Sequence, residues 1–264
     1  MMLGMYIAFY IVTLTGLGTL IGPHAAPIVA ALLAGPIVFA IGIFLHRVLV
    51  GRVTGVKVMS SESEGHFAQI ILTLGISLFL QNAGLLTFGS LPVSVQTPLS
   101  RESWEIGPIF LNQARTVSFV IAVVVALALY WFLSRSITGK ALRAAADNPV
   151  AASYVGVDVD RAHRLAFGLG VGITAIGGGL IATTQTFQPY IGFDFVIVMF
   201  AGVVLGGLGS ILGSFWGGLT IGLVQQLATL VLPHQLQNTA IFVVFLLIIF
   251  FWPRGMFGRV WERT

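Results

Sequence analysis

Across 264 residues, 57% of the side chains are hydrophobic and only 8% are charged, and the mean hydropathy is +0.99. A soluble surface needs about a quarter to a third of its residues charged, so a water-soluble globular chain is excluded and an all-α, polytopic helical membrane protein is expected. The formal net charge of +4 comes from loop Lys and Arg, which reads as topology and not as nucleic-acid binding; with no cysteine in the chain, disulfides and thiolate metal sites are excluded.

Residues 1–20 are apolar throughout and lack the basic stretch of a signal peptide. About 20 apolar residues cross ~30 Å of hydrocarbon, so this run suffices for a span or most of one. Gly22, Pro23 and Pro27 punctuate a short connection to a second span over 27–45, and the basic cluster His46, Arg47, Arg52 and Lys57 follows it. A third span covers 67–89. Residues 91–113, with Pro92, Pro98, Pro108, Arg101, Glu102 and Glu105, form a polar loop able to pack as a small outer cap.

The fourth span, 116–133, is a Val/Ala/Leu run ending near Arg135. The fifth, 163–186, carries Gly168, Gly170, Gly172, Gly177, Gly178 and Gly179, small residues that let helix backbones approach closely in a bilayer. Segments 193–209 and 215–232, joined by the run GGLGSILGS, are two full spans or a re-entrant pair; 238–252 is the last. The count is about seven spans. Lys and Arg concentrate in 46–66, around 135–164 (Arg135, Lys140, Arg143, Arg161, Arg164) and in the tail (Arg254, Arg259, Arg263), while the other loops hold Arg101 and Arg115. The positive-inside rule places those three basic regions, the C-terminus included, in the cytoplasm.

The longest polar interval between apolar regions is 138–160, TGKALRAAADNPVAASYVGVDVD. Gly139 precedes a run of strong helix formers, 140–146. Asn148 before Pro149 is an N-cap followed by the first helical position. A second short helix then runs to Val155, with Gly156 ending it in a left-handed cap, and Asp158 or Asp160 caps the helix after it. Helices below ~12–15 residues are marginal alone, so something must pack on this helix–turn–helix elbow. Val150 and Tyr154, four apart, share a face. That leaves an amphipathic loop on the bilayer surface or a docking knob for a soluble partner.

Chemistry within the spans is sparse. All nine acidic and thirteen basic residues fall in loops, at span edges or in the tail, which weakens an ion-coupled mechanism. The five histidines, 24, 46, 66, 163 and 234, lack metal-ligand spacing and read as interfacial or structural. Ser210 has no Asp and His partners for nucleophilic catalysis, and its glycine-rich run lacks the Lys–Ser/Thr pair of a phosphate loop. The chain is therefore not expected to be an enzyme or to hydrolyse ATP, and neither cofactor nor metal is expected. Gln81, Asn82, Gln185 and Gln188, with Gln225 and Gln226, can bond a polar solute without a fixed charge or hold helices together.

The elbow, with TLGISLFLQN (73–82), QPYIGFDF (188–195), VVLGGLGSILGSFWGG (203–218) and FWPRGMFGR (251–259), resembles the membrane permeases of ABC importers for branched-chain amino acids, the LivH type in particular. The resemblance implies that 138–160 is the coupling loop that docks on an ATP-binding subunit, with Gly139, Arg143, Asp147, Asn148, Ala151 and Gly156 at the matching positions. It further implies a second related permease subunit, a periplasmic or extracellular solute-binding protein, and a single permease domain over 1–264 in the inner membrane. Gln81, Asn82, Gln185 and Gln188 become the candidate substrate pathway. Members of that family begin with a further span and an Asn-x-Ala-His-Gly element, so the chain is expected to lack the first span. Related permeases for urea and short amides leave the solute open between those and hydrophobic amino acids. A passive facilitator for a small neutral solute is the alternative.

Overall fold

The computed structural model describes residues 1–54, 62–95, 97–106, 109–207, 209–233, 236–251 and 255. Expectations resting on Lys57, Pro108, His234, Arg254, Arg259 and Arg263, and on the side chains of His66 and Arg101, lie outside these residues. The fold is helical, as the composition dictates, and the chain packs as two compact units, Met1–Tyr190 and Ile191–Thr264.

In the first unit, α1 (Met2–Thr15) stops at Gly16, whose φ of 59° and ψ of 28° are left-handed, a conformation glycine adopts at little cost. The apolar run expected to continue to residue 20 is thereby broken, and a single helical turn, α2 (Leu17–Leu20), follows it. Helix α3 (Ala26–Leu45) has Pro27 in its first turn and Pro36 in its interior. It runs into a π-helical turn, His46–Val50, and a short α4 (Gly51–Thr54). Helix α5 (Glu62–Phe88) is the expected third span, begun several residues earlier.

The expected outer cap is more structured than its polar composition suggested. After the turn α6 (Pro98–Arg101), strands β1 (Ser103–Ile106) and β2 (Ile109–Asn112) pair antiparallel, with Ser103 opposite Asn112 and Trp104 opposite Leu111. At four residues each, the two strands are too short for an alternation pattern to stand out in a polar, proline-rich stretch. His24 Nε2 lies 3.2 Å from Glu102 Oε2, joining the approach to α3 with the cap.

Helices α7 (Gln113–Arg135), α8 (Ile137–Asp147), α9 (Pro149–Tyr154) and α10 (Val159–Ile181) complete the unit. Helix α10 packs along α3 and against α1, and its glycines are the reason the backbones can meet. A Cβ on Gly172 would lie 3.1 Å from the Gly35 carbonyl oxygen, and one on Gly179 would lie 2.8 Å from Ala31 Cα. Gly170 and Gly177 meet nothing within 4 Å among the described residues, so only part of the expected glycine set serves this packing. By contrast α5 and α7 leave apolar side chains such as Ile71, Phe79, Leu127 and Trp131 uncovered, the surface a bilayer would solvate.

The second unit contains α11 (Ile191–Gly206), α12 (Ile211–Val231) and α13 (Gln237–Phe251). Ala201, Leu205, Ile221 and Ile241 form its core. Gly207 and Gly209 carry positive φ of 98° and 88°, and the Ser210 hydroxyl accepts the Gly213 N–H at 3.0 Å to start α12. Helices α11 and α12 then cross glycine on glycine: a Cβ on Gly206 would strike the Gly213 backbone, and one on Gly217 the Gly202 carbonyl. Among the described residues, five helices reach spanning length (26–50, 68–88, 113–135, 159–181 and 211–230), and three shorter apolar ones lie over 2–15, 191–206 and 239–251. The expected tally of about seven treated some of these shorter helices as spans.

Candidate functional site

The elbow is built from local signals that mesh. Ser136, not Gly139, opens it: the Ser136 hydroxyl accepts the Gly139 N–H at 2.9 Å, so α8 begins at Ile137, earlier than expected. Gly139 therefore lies inside the first turn, and its reason is proximity. A Cβ there would sit 2.5 Å from both Leu133 Cα and the Phe132 carbonyl oxygen, so only glycine lets α8 turn back tightly on the end of α7. Arg143 Nη2 donates to the Ser134 carbonyl at 3.4 Å, across the same bend.

Asn148 acts as the expected N-cap, its Oδ1 accepting the Ala151 N–H at 2.9 Å with Pro149 in the first turn. Gly156 has φ of 85°. Its N–H donates to the Ser153 carbonyl at 3.1 Å, and the Val157 N–H reaches back to the Ala152 carbonyl at 3.0 Å. Those two bonds are the Schellman pattern that a left-handed residue closes. Between the two candidates for the next cap, Asp158 is the one used: its Oδ1 accepts the Arg161 N–H at 2.9 Å.

Neither short helix stands alone. Leu142, Ala145, Ala152, Val159 and Ala162 are buried together, with Phe132, Leu133, Val157, Leu165 and Leu169 packed against them. The elbow is thus seated on the end of α7 and the start of α10. Its other side is bare: Val150 is 50% exposed, Tyr154 84% and Val155 79%. Arg143, Asp147 and Ala151 are exposed beside them. Burying ~150–250 Å² of an aromatic ring is a large gain that this chain forgoes within itself.

The candidate pathway amides are dispersed by comparison. Gln81 is buried, its Nε2 3.5 Å from Ser77 Oγ one turn back on α5. Asn82 is exposed and donates to the Leu78 carbonyl at 2.8 Å. Gln185 and Gln188 are exposed in the link after α10. No hydrogen bond joins these four among the described residues. Sequence reasoning also missed a clasp at this link: Val93 and Phe187 exchange backbone hydrogen bonds at 2.9 and 2.8 Å, and the Val95 N–H reaches the Ala182 carbonyl at 3.2 Å. Phe187, beside the QPYIG run, was the one local signal for it.

Apolar spanning helices with a capped two-helix elbow seated on two of their ends define a polytopic helical membrane protein. Comparison with known proteins gives the family: the profile described as "Branched-chain amino acid transport system / permease component" matches residues 1–251, and the chain belongs to that family. It is 32% identical over 196 residues to the high-affinity branched-chain amino acid transport system permease protein LivH of Escherichia coli (strain K12), covering 72% of this chain and 63% of that protein, less than two thirds of its length. The LivH protein of Salmonella typhimurium is 30% identical over 267 residues, with 98% of this chain and 83% of that protein covered. BraD of Pseudomonas aeruginosa, named as the same kind of permease, is 29% identical over 266 residues, with the same coverage. No solved structure matches the chain significantly.

Proposed function

We propose that this chain is the membrane-spanning permease subunit of an ATP-driven importer, carrying branched-chain or other hydrophobic amino acids across the inner membrane. It works as one permease domain over residues 1–264, with the elbow and the C-terminus in the cytoplasm. Separate ATP-binding subunits hydrolyse ATP. A second, related permease shares the pathway, and a solute-binding protein delivers the amino acid from outside.

The observation that carries this reading is the elbow's bare apolar face. Val150, Tyr154 and Val155 stand exposed on helices whose opposite side is locked into the bundle. Aromatic side chains left in water on a rigid support are the usual anchors of a protein interface. Gly139 and Arg143 hold the elbow to α7, Asn148 and Gly156 fix the ends of α9, and Asp147 and Ala151 contribute to the docking face. A push on that face reaches α7 and α10 through the shared cluster, so nucleotide-driven docking has a mechanical path to the spanning helices. Gln81, Asn82, Gln185 and Gln188 supply polar groups along the solute route.

The test is co-expression with the candidate ATP-binding and permease partners, followed by co-purification and leucine uptake. Tyr154→Asp changes a side chain that is 84% exposed and should leave insertion and permease pairing intact while releasing the ATP-binding subunits. Retained ATPase binding and normal ATP-dependent uptake would refute the docking role. Uptake of urea without any ATPase would establish the passive facilitator instead.

A further inference from the structure

Tyr6 is 1% exposed, and its buried hydroxyl has no hydrogen-bond partner among the described residues. Its ring lies nearly parallel to Phe88, with centroids 4.1 Å apart and planes 9° apart. Phe187 meets it edge-on at 5.0 Å. Phe187 is itself held, since its backbone exchanges both hydrogen bonds with Val93. Phenylalanine would fill this slot equally well without stranding an oxygen, so the packing seen here gives no use for the hydroxyl. The oxygen would gain a use if the ring swung out: the hydroxyl would then be solvated, and the place it left between Phe88 and Phe187 would be an apolar cleft with aromatic walls.

We propose that the slot between Phe88 and Phe187 is a solute subsite, occupied by Tyr6 in this conformation and vacated during transport. The cleft takes the apolar side chain of a hydrophobic amino acid, and the displaced Tyr6 hydroxyl bonds its charged end. Pockets for such solutes are apolar, with few polar groups to set orientation. A phenol can donate to a carboxylate or accept from an ammonium. This inference rests on the permease reading above.

Because the chain contains no cysteine, a single Tyr6→Cys substitution reports water access without background. In membranes carrying the complete complex, a membrane-impermeant maleimide should modify that thiol at least about tenfold faster during ATP turnover than at rest, and leucine should slow the reaction. Tyr6→Phe keeps the slot filled. It should hold or raise the thermal midpoint while leucine uptake falls about tenfold, because the closed state no longer carries an unsatisfied oxygen. A purely structural tyrosine would give the same stability change with unaltered uptake, and that result overturns the proposal. Wild-type uptake with a thiol silent in both states overturns the subsite alone. A wild-type complex that takes up no leucine overturns the amino-acid reading, and the subsite with it.

Discussion

Asn148 and Gly156 do opposite jobs at the two ends of α9, and each is open to a single substitution. Asn148→Ala removes the acceptor of the Ala151 N–H and should cost about 1 kcal/mol locally, seen as faster hydrogen exchange across α9 with the spans unchanged. Gly156→Val places a β-branched residue at φ of 85°, a conformation disfavoured by roughly 1–2 kcal/mol. It should abolish ATP-dependent uptake while the protein still inserts; normal uptake would show that the cap does not position the elbow for coupling. Both residues were legible in the sequence because a cap depends on its own side chain and the next few amides. Gly139 was not. Its role comes from the backbone of Leu133 and Phe132 lying against it, a proximity set by the bend between α7 and α8.

At the scale of elements, helices too short to persist in water are held by a common cluster. Arg143→Glu should leave stability within about 0.5 kcal/mol, since an exposed polar contact contributes little, yet it reverses charge at the elbow and, on the proposed coupling role, should uncouple uptake from ATP hydrolysis. Gly139→Leu should act differently: the elbow is forced off α7, and limited proteolysis should cut between residues 137 and 157. The crossing of α11 and α12 is a second element-scale device. Gly206→Leu collides with the Gly213 backbone and should lower the yield of folded protein in detergent, measured by size-exclusion chromatography. Glycine in GGLGSILGS was visible as a run, but which glycines turn the chain and which admit a neighbouring helix was decided by packing. Leu17–Leu20 makes the complementary point: an apolar run predicted a span or most of one over 1–20, and a single left-handed Gly16 divided it.

For the whole molecule, the arrangement in the membrane is the property to test. With no native cysteine, Ser153→Cys on the elbow and Glu105→Cys on the hairpin should be labelled from opposite sides of intact vesicles. Labelling of both from one side would reverse or break the proposed topology. The bare apolar faces of α5 and α7 belong to this scale as well: lipid or a neighbouring permease can cover them, and neither needs a partner inside this chain to be stable in hydrocarbon.

Composition alone determined that this chain lives in a bilayer, and its long continuous apolar runs pointed to helices, since the strands of a closed barrel would alternate apolar with polar residues. The capped elbow was likewise readable from order and residue type, since caps and turns are local. What waited for the tertiary structure was everything set by residues distant in sequence. Among these are the Val93–Phe187 clasp, the close approach of the α10 glycines to α3 and the stranded hydroxyl of Tyr6. Contacts across dozens of residues are chosen by whichever packing buries most surface with least strain, and no local pattern encodes that choice.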